Sequence, residues 1–139
     1  MATLIRAEIS QKNKYWIDKH RHYELKHFCL QYPTWRDAYS KLSDPKIPLS
    51  ALDRLPSGNL PTDPTAKRAI IRAMYAAKMD VIEKAAREAD KCLYNYIIRA
   101  VTEGLSYTYL KTRLRIPCSK DTYYDRYRKF FWILDNARN

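Results

Sequence analysis

The sequence predicts an all-α protein, a helical bundle, on three observations. The 139 residues include only two glycines, Gly58 and Gly104, which leaves little material for the tight turns that sheets need. The stretch after Asp63 is Ala-rich and carries the highest helix propensity in the chain. In SKDTYYDRYRKFFWIL (119–134), Tyr123, Tyr127, Phe130, Phe131 and Leu134 recur at i, i+4, i+7, i+8 and i+11, one stripe of an α-helix. The length is that of one domain, and 46% hydrophobic residues suffice for a core.

Residues 15–42 are rich in aromatics and should form two helices broken near Pro33, which suits a first helical position. Ile17, Leu25, Phe28 and Tyr32 are the expected inner face of the first helix. Trp16, Tyr32, Trp35 and Tyr39 read as core or dimer contacts before they read as a base-stacking platform. Residues 43–62 hold four of the seven prolines and Ser57-Gly58-Asn59, a linker or long loop whose leucines suggest partial packing.

Asp63 is a good N-cap and Pro64 a good first helical residue, so a helix is expected from 64 to about 88. Its apolar face is wide, with Ile70, Met74, Ala77 and Val81 in one row and Ile71, Tyr75 and Ile82 in the next. Asp90 can cap a further helix that buries Leu93, Ile97, Ala100 and Val101 and stops at Gly104. The expected division is an aromatic-rich N-terminal helical region (1–42), a Pro-rich linker (43–62) and a helical core (63–139).

No apolar run approaches the roughly 20 residues of a membrane span, and MATLIRAEISQKNK lacks the apolar middle of a secretory signal. A cytoplasmic protein with no membrane partner is therefore expected. Cys29, Cys92 and Cys118 are odd in number, far apart and outside any CxxC pair, so they read as reduced, mostly buried thiols. His20, Glu24 and His27 share a helical face near Cys29, but the ligand set is incomplete, and no metal or other cofactor is expected. No phosphate-cradling glycine loop and no catalytic Ser/His/Asp order is present, and the C-terminal tyrosines lack the companions a nucleophile needs, so no enzyme activity is expected.

Charge is the strongest global signal. The chain carries 26 Lys and Arg against 15 Asp and Glu, a net +11, which points to a polyanionic partner. Residues 105–139 hold 8 basic and 3 acidic side chains, the highest excess for their length.

That basic segment also has a layout. Ser106 can cap a short helix YTYLKTRL, a turn RIPCS follows, and Ser119 can cap the longer stretch quoted above. Short helix, tight turn and longer basic helix make a helix-turn-helix over 105–137, with Leu110, Leu114, Ile116, Tyr123 and Tyr127 as its small core. The face left over on the second helix is Lys120, Asp121, Tyr124, Asp125, Arg128 and Lys129. Tyr124, off the apolar stripe, is placed with the outward residues, and Asp121 and Asp125 argue for readout of bases or for a first turn tuned to the helix dipole.

The stretch GLSYTYLKTRLRIPCSKDTYYDRYRKFFWIL resembles the C-terminal helix-turn-helix of phage transcriptional regulators of the RinA and ArpU type, themselves similar to region 4 of bacterial sigma factors. The shared pattern is Gly-x-Ser/Thr-aromatic, Leu-x-x-x-Leu-x-Ile before the turn, and Thr-Tyr-Tyr-x-Arg-x-x-Lys-Phe after it, with Arg115 standing where a glycine is common. The segment 15–42 also resembles proteins of phages and integrated elements in Gram-positive hosts. The resemblance implies a regulator of phage gene expression that binds double-stranded DNA in the bacterial host's cytoplasm, on the nucleoid. It implies Lys120, Asp121, Tyr124, Asp125 and Arg128 as base-contacting residues, and Thr108, Lys111, Arg113, Arg115, Arg126 and Lys129 as phosphate contacts. A homodimer is expected, because a single helix-turn-helix gains specificity on paired half-sites, with the aromatic N-terminal region as the contact. Two alternatives stay open: a packaging factor resembling a small terminase subunit, and a protein-binding adaptor or inhibitor with host RNA polymerase as its partner.

Overall fold

The computed structural model describes residues 11–52, 55–56 and 58–138. The first ten residues of the expected aromatic-rich region, together with Asp53, Arg54, Ser57 and Asn139, lie outside the described residues. Helices follow in the order α1 (Lys19–Leu30), α2 (Tyr32–Ser43), α3 (Pro64–Ala89), α4 (Tyr94–Glu103), α5 (Tyr107–Thr112) and α6 (Lys120–Ala137), with a 3-10 turn at Leu49–Ala51. There is no strand among the described residues, so the protein is all-α. None of these helices is long and apolar enough to cross a membrane.

The chain divides into two compact units, Tyr32–Asp80 and the described residues of Met1–Gln31 with Val81–Asn139. This division departs from the boundaries at 42 and 63 suggested by composition, because packing, not the proline-rich stretch, groups the helices. The helix after Pro33 and the first part of α3 fall in one unit, while α1 joins the C-terminal helices in the other.

In the unit Tyr32–Asp80, Pro33 sits in the first turn of α2, where its missing N–H is one of four that the helix leaves without a partner anyway. Tyr32, Trp35, Ala38 and Leu42 are the buried face of α2, at near-helical spacing. Asp63 caps α3 as expected, its carboxylate accepting the Ala66 N–H at 3.0 Å. One side chain gathers carbonyls at and just past the end of α2. Arg68 donates to the carbonyls of Leu42 at 3.0 Å and Asp44 at 3.3 Å, and it also reaches that of Ile47. Arg72 reinforces the same end, its guanidinium 4.7 Å from the Tyr39 ring and hydrogen-bonded to the Ser43 hydroxyl at 2.9 Å.

Arg68→Ala would take this charged donor from the Leu42 and Ile47 carbonyls, while that of Asp44 keeps the Ile47 N–H at 3.1 Å, at an expected cost of about 2 kcal/mol, the scale of charge-assisted hydrogen bonds. Arg68→Lys, a point charge in place of a fork, should not restore it. Urea denaturation of the three proteins checks both statements, and a lysine variant as stable as wild type would refute the second.

In the other unit α1 packs on α4 and α6. Its buried residues are His22, Leu25 and Cys29, with Ile17 buried just before the helix, so the expected inner face holds at Ile17 and Leu25 while Phe28 is only half-buried. Ile82, Ala85, Ala86 and Ala89 of α3, Ile97, Ala100 and Val101 of α4, and Phe130, Phe131 and Leu134 of α6 are buried in the same unit. Ties between α1 and α6 include Arg21 to Asp135 at 2.6 Å and His22 to Phe131 and Tyr127 with ring centroids 4.8 Å and 6.3 Å apart, and just past α6 the Arg138 guanidinium stands 3.8 Å from the Phe28 ring. Of the free cysteines only Cys29 is buried; Cys92 is exposed and Cys118 half-buried, which corrects the expectation of mostly buried thiols.

Candidate nucleic-acid interface

Four local devices build the segment from Gly104 to Ala137. Gly104 has φ +72°, a left-handed conformation that ends α4, and the Leu105 N–H reaches back to the Ala100 carbonyl at 3.0 Å. Ser106, extended, caps α5 by accepting the Tyr109 N–H at 3.2 Å. Ser119 caps α6 in the same way, accepting the Thr122 N–H at 3.2 Å and donating to its hydroxyl at 3.0 Å. Between them the turn closes with the Ile116 N–H on the Leu110 carbonyl at 3.0 Å and the Tyr107 phenol donating to the Cys118 carbonyl at 2.7 Å.

The turn hinges on Arg115, which among the described residues is the non-glycine one with positive φ, +56°. This is the position where a glycine would be expected, and the backbone explains why. An L side chain in the left-handed region is strained, and glycine is not. Arg115→Gly should therefore leave stability within about 1 kcal/mol of wild type and on the stabilising side, the gain offset in part by a freer unfolded chain. Arg115→Val, β-branched, should lose roughly 1–2 kcal/mol. Denaturant midpoints of the two variants measure the difference, and a valine variant at least as stable as the glycine one would contradict it.

A run of rings fixes α5 and α6 to each other. Tyr107 stands 5.6 Å from Tyr123 and 6.4 Å from Tyr124, and Tyr123 and Tyr124 meet edge-on at 5.0 Å. Tyr123, Tyr127, Phe130, Phe131 and Leu134 are buried, as their spacing predicts. Burial pushes the Tyr123 phenol well above its ordinary range, and its hydroxyl is buried with no hydrogen-bond partner among the described residues. A phenol held neutral in this way is a packing group. Leu110 and Ile116 are buried too, whereas Leu114 lies past the end of α5, which stops at Thr112, and is half-buried.

The expected site residues divide by exposure. Thr108, Lys111, Arg113, Arg115, Lys120 and Asp121 are exposed around α5, the turn and the first residues of α6. Asp125, Arg126, Arg128 and Lys129 are half-buried. Tyr124 is 5% exposed, and this overturns its assignment to the outer face. It lies one position, about 100° of helix, from Tyr123, and Tyr107 on α5 widens the buried arc to include it.

Arg126 is drawn inward. Its Nε is 3.0 Å from the Asp90 carboxylate, and the same guanidinium also bonds Asp125. Asp90 in turn accepts the N–H groups of Cys92 at 2.7 Å and Leu93 at 2.8 Å in the turn before α4. Burial raises the affinity of Asp90 for a proton, but those two N–H groups and Arg126 outweigh it and hold the carboxyl below its usual range. Arg126 thus anchors α6 to the α3–α4 turn. The Arg128 Nε is buried and meets no hydrogen-bond acceptor among the described residues.

What remains outward is a cationic rim. Lys111, Arg113, Arg115 and Lys120 span ten residues of chain, are all exposed, and take part in no ion pair among the described residues. Elsewhere the N-terminal histidines separate: His20 and His27 are exposed with Glu24, which pairs with Arg21, and His22, which the spacing did not single out, is buried. No group of three His, Cys, Asp or Glu side chains among the described residues could hold a metal ion. Comparison of the chain with family models, with curated proteins and with solved structures finds no match to any of them.

Proposed function

We propose that the chain is a sequence-specific duplex-DNA-binding regulator of phage-type gene expression that grips DNA with the segment 105–137. The reading is supported by the cationic rim: four exposed cations that take part in no ion pair among the described residues, running from the end of α5 through the turn to the first residue of α6, with both helices capped. Phosphates are the partner such a rim suits, since each contact releases counterions and adds affinity regardless of sequence. Lys120 and Asp121, exposed in the first turn of α6, are the residues offered to base edges, lysine toward guanine and aspartate toward the cytosine amine. Thr108 adds a hydroxyl on α5, while Asp125, Arg128 and Lys129 stand half-buried behind the first turn, and Arg126 serves to position the helix. The likeness of the stretch to RinA- and ArpU-type regulators points the same way, toward phage promoter or operator DNA on the host nucleoid.

The test is fluorescence anisotropy on DNA selected from fragments of the source genome, against random duplex, over a series of salt concentrations. Lys111→Ala and Arg113→Ala should weaken binding to both duplexes alike and lower the log–log salt slope by about one each. Lys120→Ala and Asp121→Ala should instead narrow the ratio between selected and random DNA. Wild-type protein that shows no salt-dependent binding to any duplex would sink the reading.

A further inference from the structure

We infer that the outer face formed by the C-terminal half of α6 and the end of α3 docks a second copy of this chain, with Trp132 of each copy entering the Tyr94 groove of the other. Trp132 is 39% exposed, an unusual position for the largest apolar side chain, and its ring leans on Tyr15 with centroids 5.8 Å apart. It stands at a surface groove of about 330 Å³ that it lines with Ile133 and Glu88. Glu88 also lines a neighbouring groove of about 400 Å³, whose other walls are Arg87, Lys91 and Tyr94, with the Arg87 guanidinium 5.2 Å from the Tyr94 ring. A projecting indole and an aromatic hollow therefore lie side by side on one face. A two-fold contact uses such a pair twice, because every residue that contacts a second one is contacted by it in return.

Charge selects the occupant. Glu88 belongs to both grooves, and neither it nor Lys91 takes part in an ion pair among the described residues. The two grooves together carry both signs, so a second copy can set its Lys91 and Arg87 against Glu88 and its Glu88 against Lys91, and the face is complementary to itself. Position selects the same occupant. Trp132 follows Asp121 by eleven residues on the outward stripe of α6, about 16 Å along the helix axis, so it lies beyond the first turns that the DNA reading gives to bases. The inference stands on the grooves alone, and under the DNA reading it supplies the two-fold that paired half-sites require.

Sedimentation equilibrium of the full chain without DNA tests it. Wild type should be a dimer, and Trp132→Glu should raise the dimer dissociation constant by roughly thirtyfold or more, the effect of losing a buried aromatic anchor. Glu88→Lys and Lys91→Glu should each weaken the dimer, and the two together should recover it, which a merely structural role for either residue would not produce. A wild type that stays monomeric at every concentration reached, a ring of many copies, a dimer indifferent to Trp132→Glu, or a double variant no better than the single ones would each overturn the proposal. Because no DNA is present, failure of the DNA reading would leave this result standing.

Discussion

Phe131→Ala should cost about 3–5 kcal/mol, the range for removing a buried phenylalanine and leaving a cavity. Phe131 is 1% exposed and has aromatic neighbours on several sides: Tyr127 at 5.0 Å, Phe130 at 4.9 Å and, from α1, His22 at 4.8 Å. Rings packed this way cannot collapse into the space of a lost neighbour without giving up their own edge-to-face contacts. With a total stability of roughly 5–15 kcal/mol for a domain of this kind, the variant should unfold at far lower urea concentration and retain little folded protein at elevated temperature. Trp132→Ala, one residue along the same helix, is the control when both variants are unfolded at a protein concentration low enough to keep the chain monomeric: the residue is 39% exposed and should cost the monomer far less. Equal losses at the two positions would show that the buried side of α6 had been misassigned.

The contrast between these neighbours was legible in the sequence, and so was much of the fold. A spacing of three and four residues records which side of a helix meets a core, and the stripe from Tyr123 to Leu134 is buried as its period requires. Ends of helices were equally readable, because a cap is a local bond. Asp63, Ser106 and Ser119 each accept an N–H a few residues ahead, and Gly104 supplies the left-handed stop. Asp90 illustrates a half-success: it does bond the N–H groups that follow, but a turn intervenes and α4 begins only at Tyr94.

Long-range partners were beyond local pattern. Arg126 and Asp90 are 36 residues apart, so the residues around Arg126 do not reveal that its guanidinium reaches the turn before α4. Tyr124 is buried because Tyr107, on a different helix, reaches it. Likewise, Arg68 looks like any surface cation of an Ala-rich helix, yet it holds the carbonyls after α2. The candidate site has therefore contracted. Its outward cations at the turn keep the exposure that the pattern implied, while the residues deeper along α6 serve the packing that aims them.

Acidification should destabilise the protein through His22, the second largest effect expected. His22 is 4% exposed, its Nε2 has no hydrogen-bond partner among the described residues, and it lies among the rings of Tyr23, Tyr127 and Phe131. Burial, with Lys26 one turn along α1 adding to it, lowers the affinity of the imidazole for a proton from the ordinary 6.5 to about 4. Between these values the unfolded chain binds the proton and the folded one does not, so stability rises with pH across that window and is lost as pH falls from about 6.5 to about 4. The loss should approach about 3 kcal/mol at the acid end of the window, at 1.36 kcal/mol for each tenfold difference in proton affinity. Asp90, with its carboxyl below the usual range, contributes stability that is present above the unfolded value and lost at still lower pH, so the two effects separate along the titration. His22→Leu should remove the loss between 6.5 and 4 while keeping the acid limb below it. Phe131→Ala, by opening the His22 ring to water, should shift the imidazole back toward its ordinary value and shrink the same window. Urea denaturation at pH 7 and pH 4.5 for the three proteins measures both effects, and a His22→Leu variant as acid-sensitive over this interval as wild type would show that the proton is taken up elsewhere.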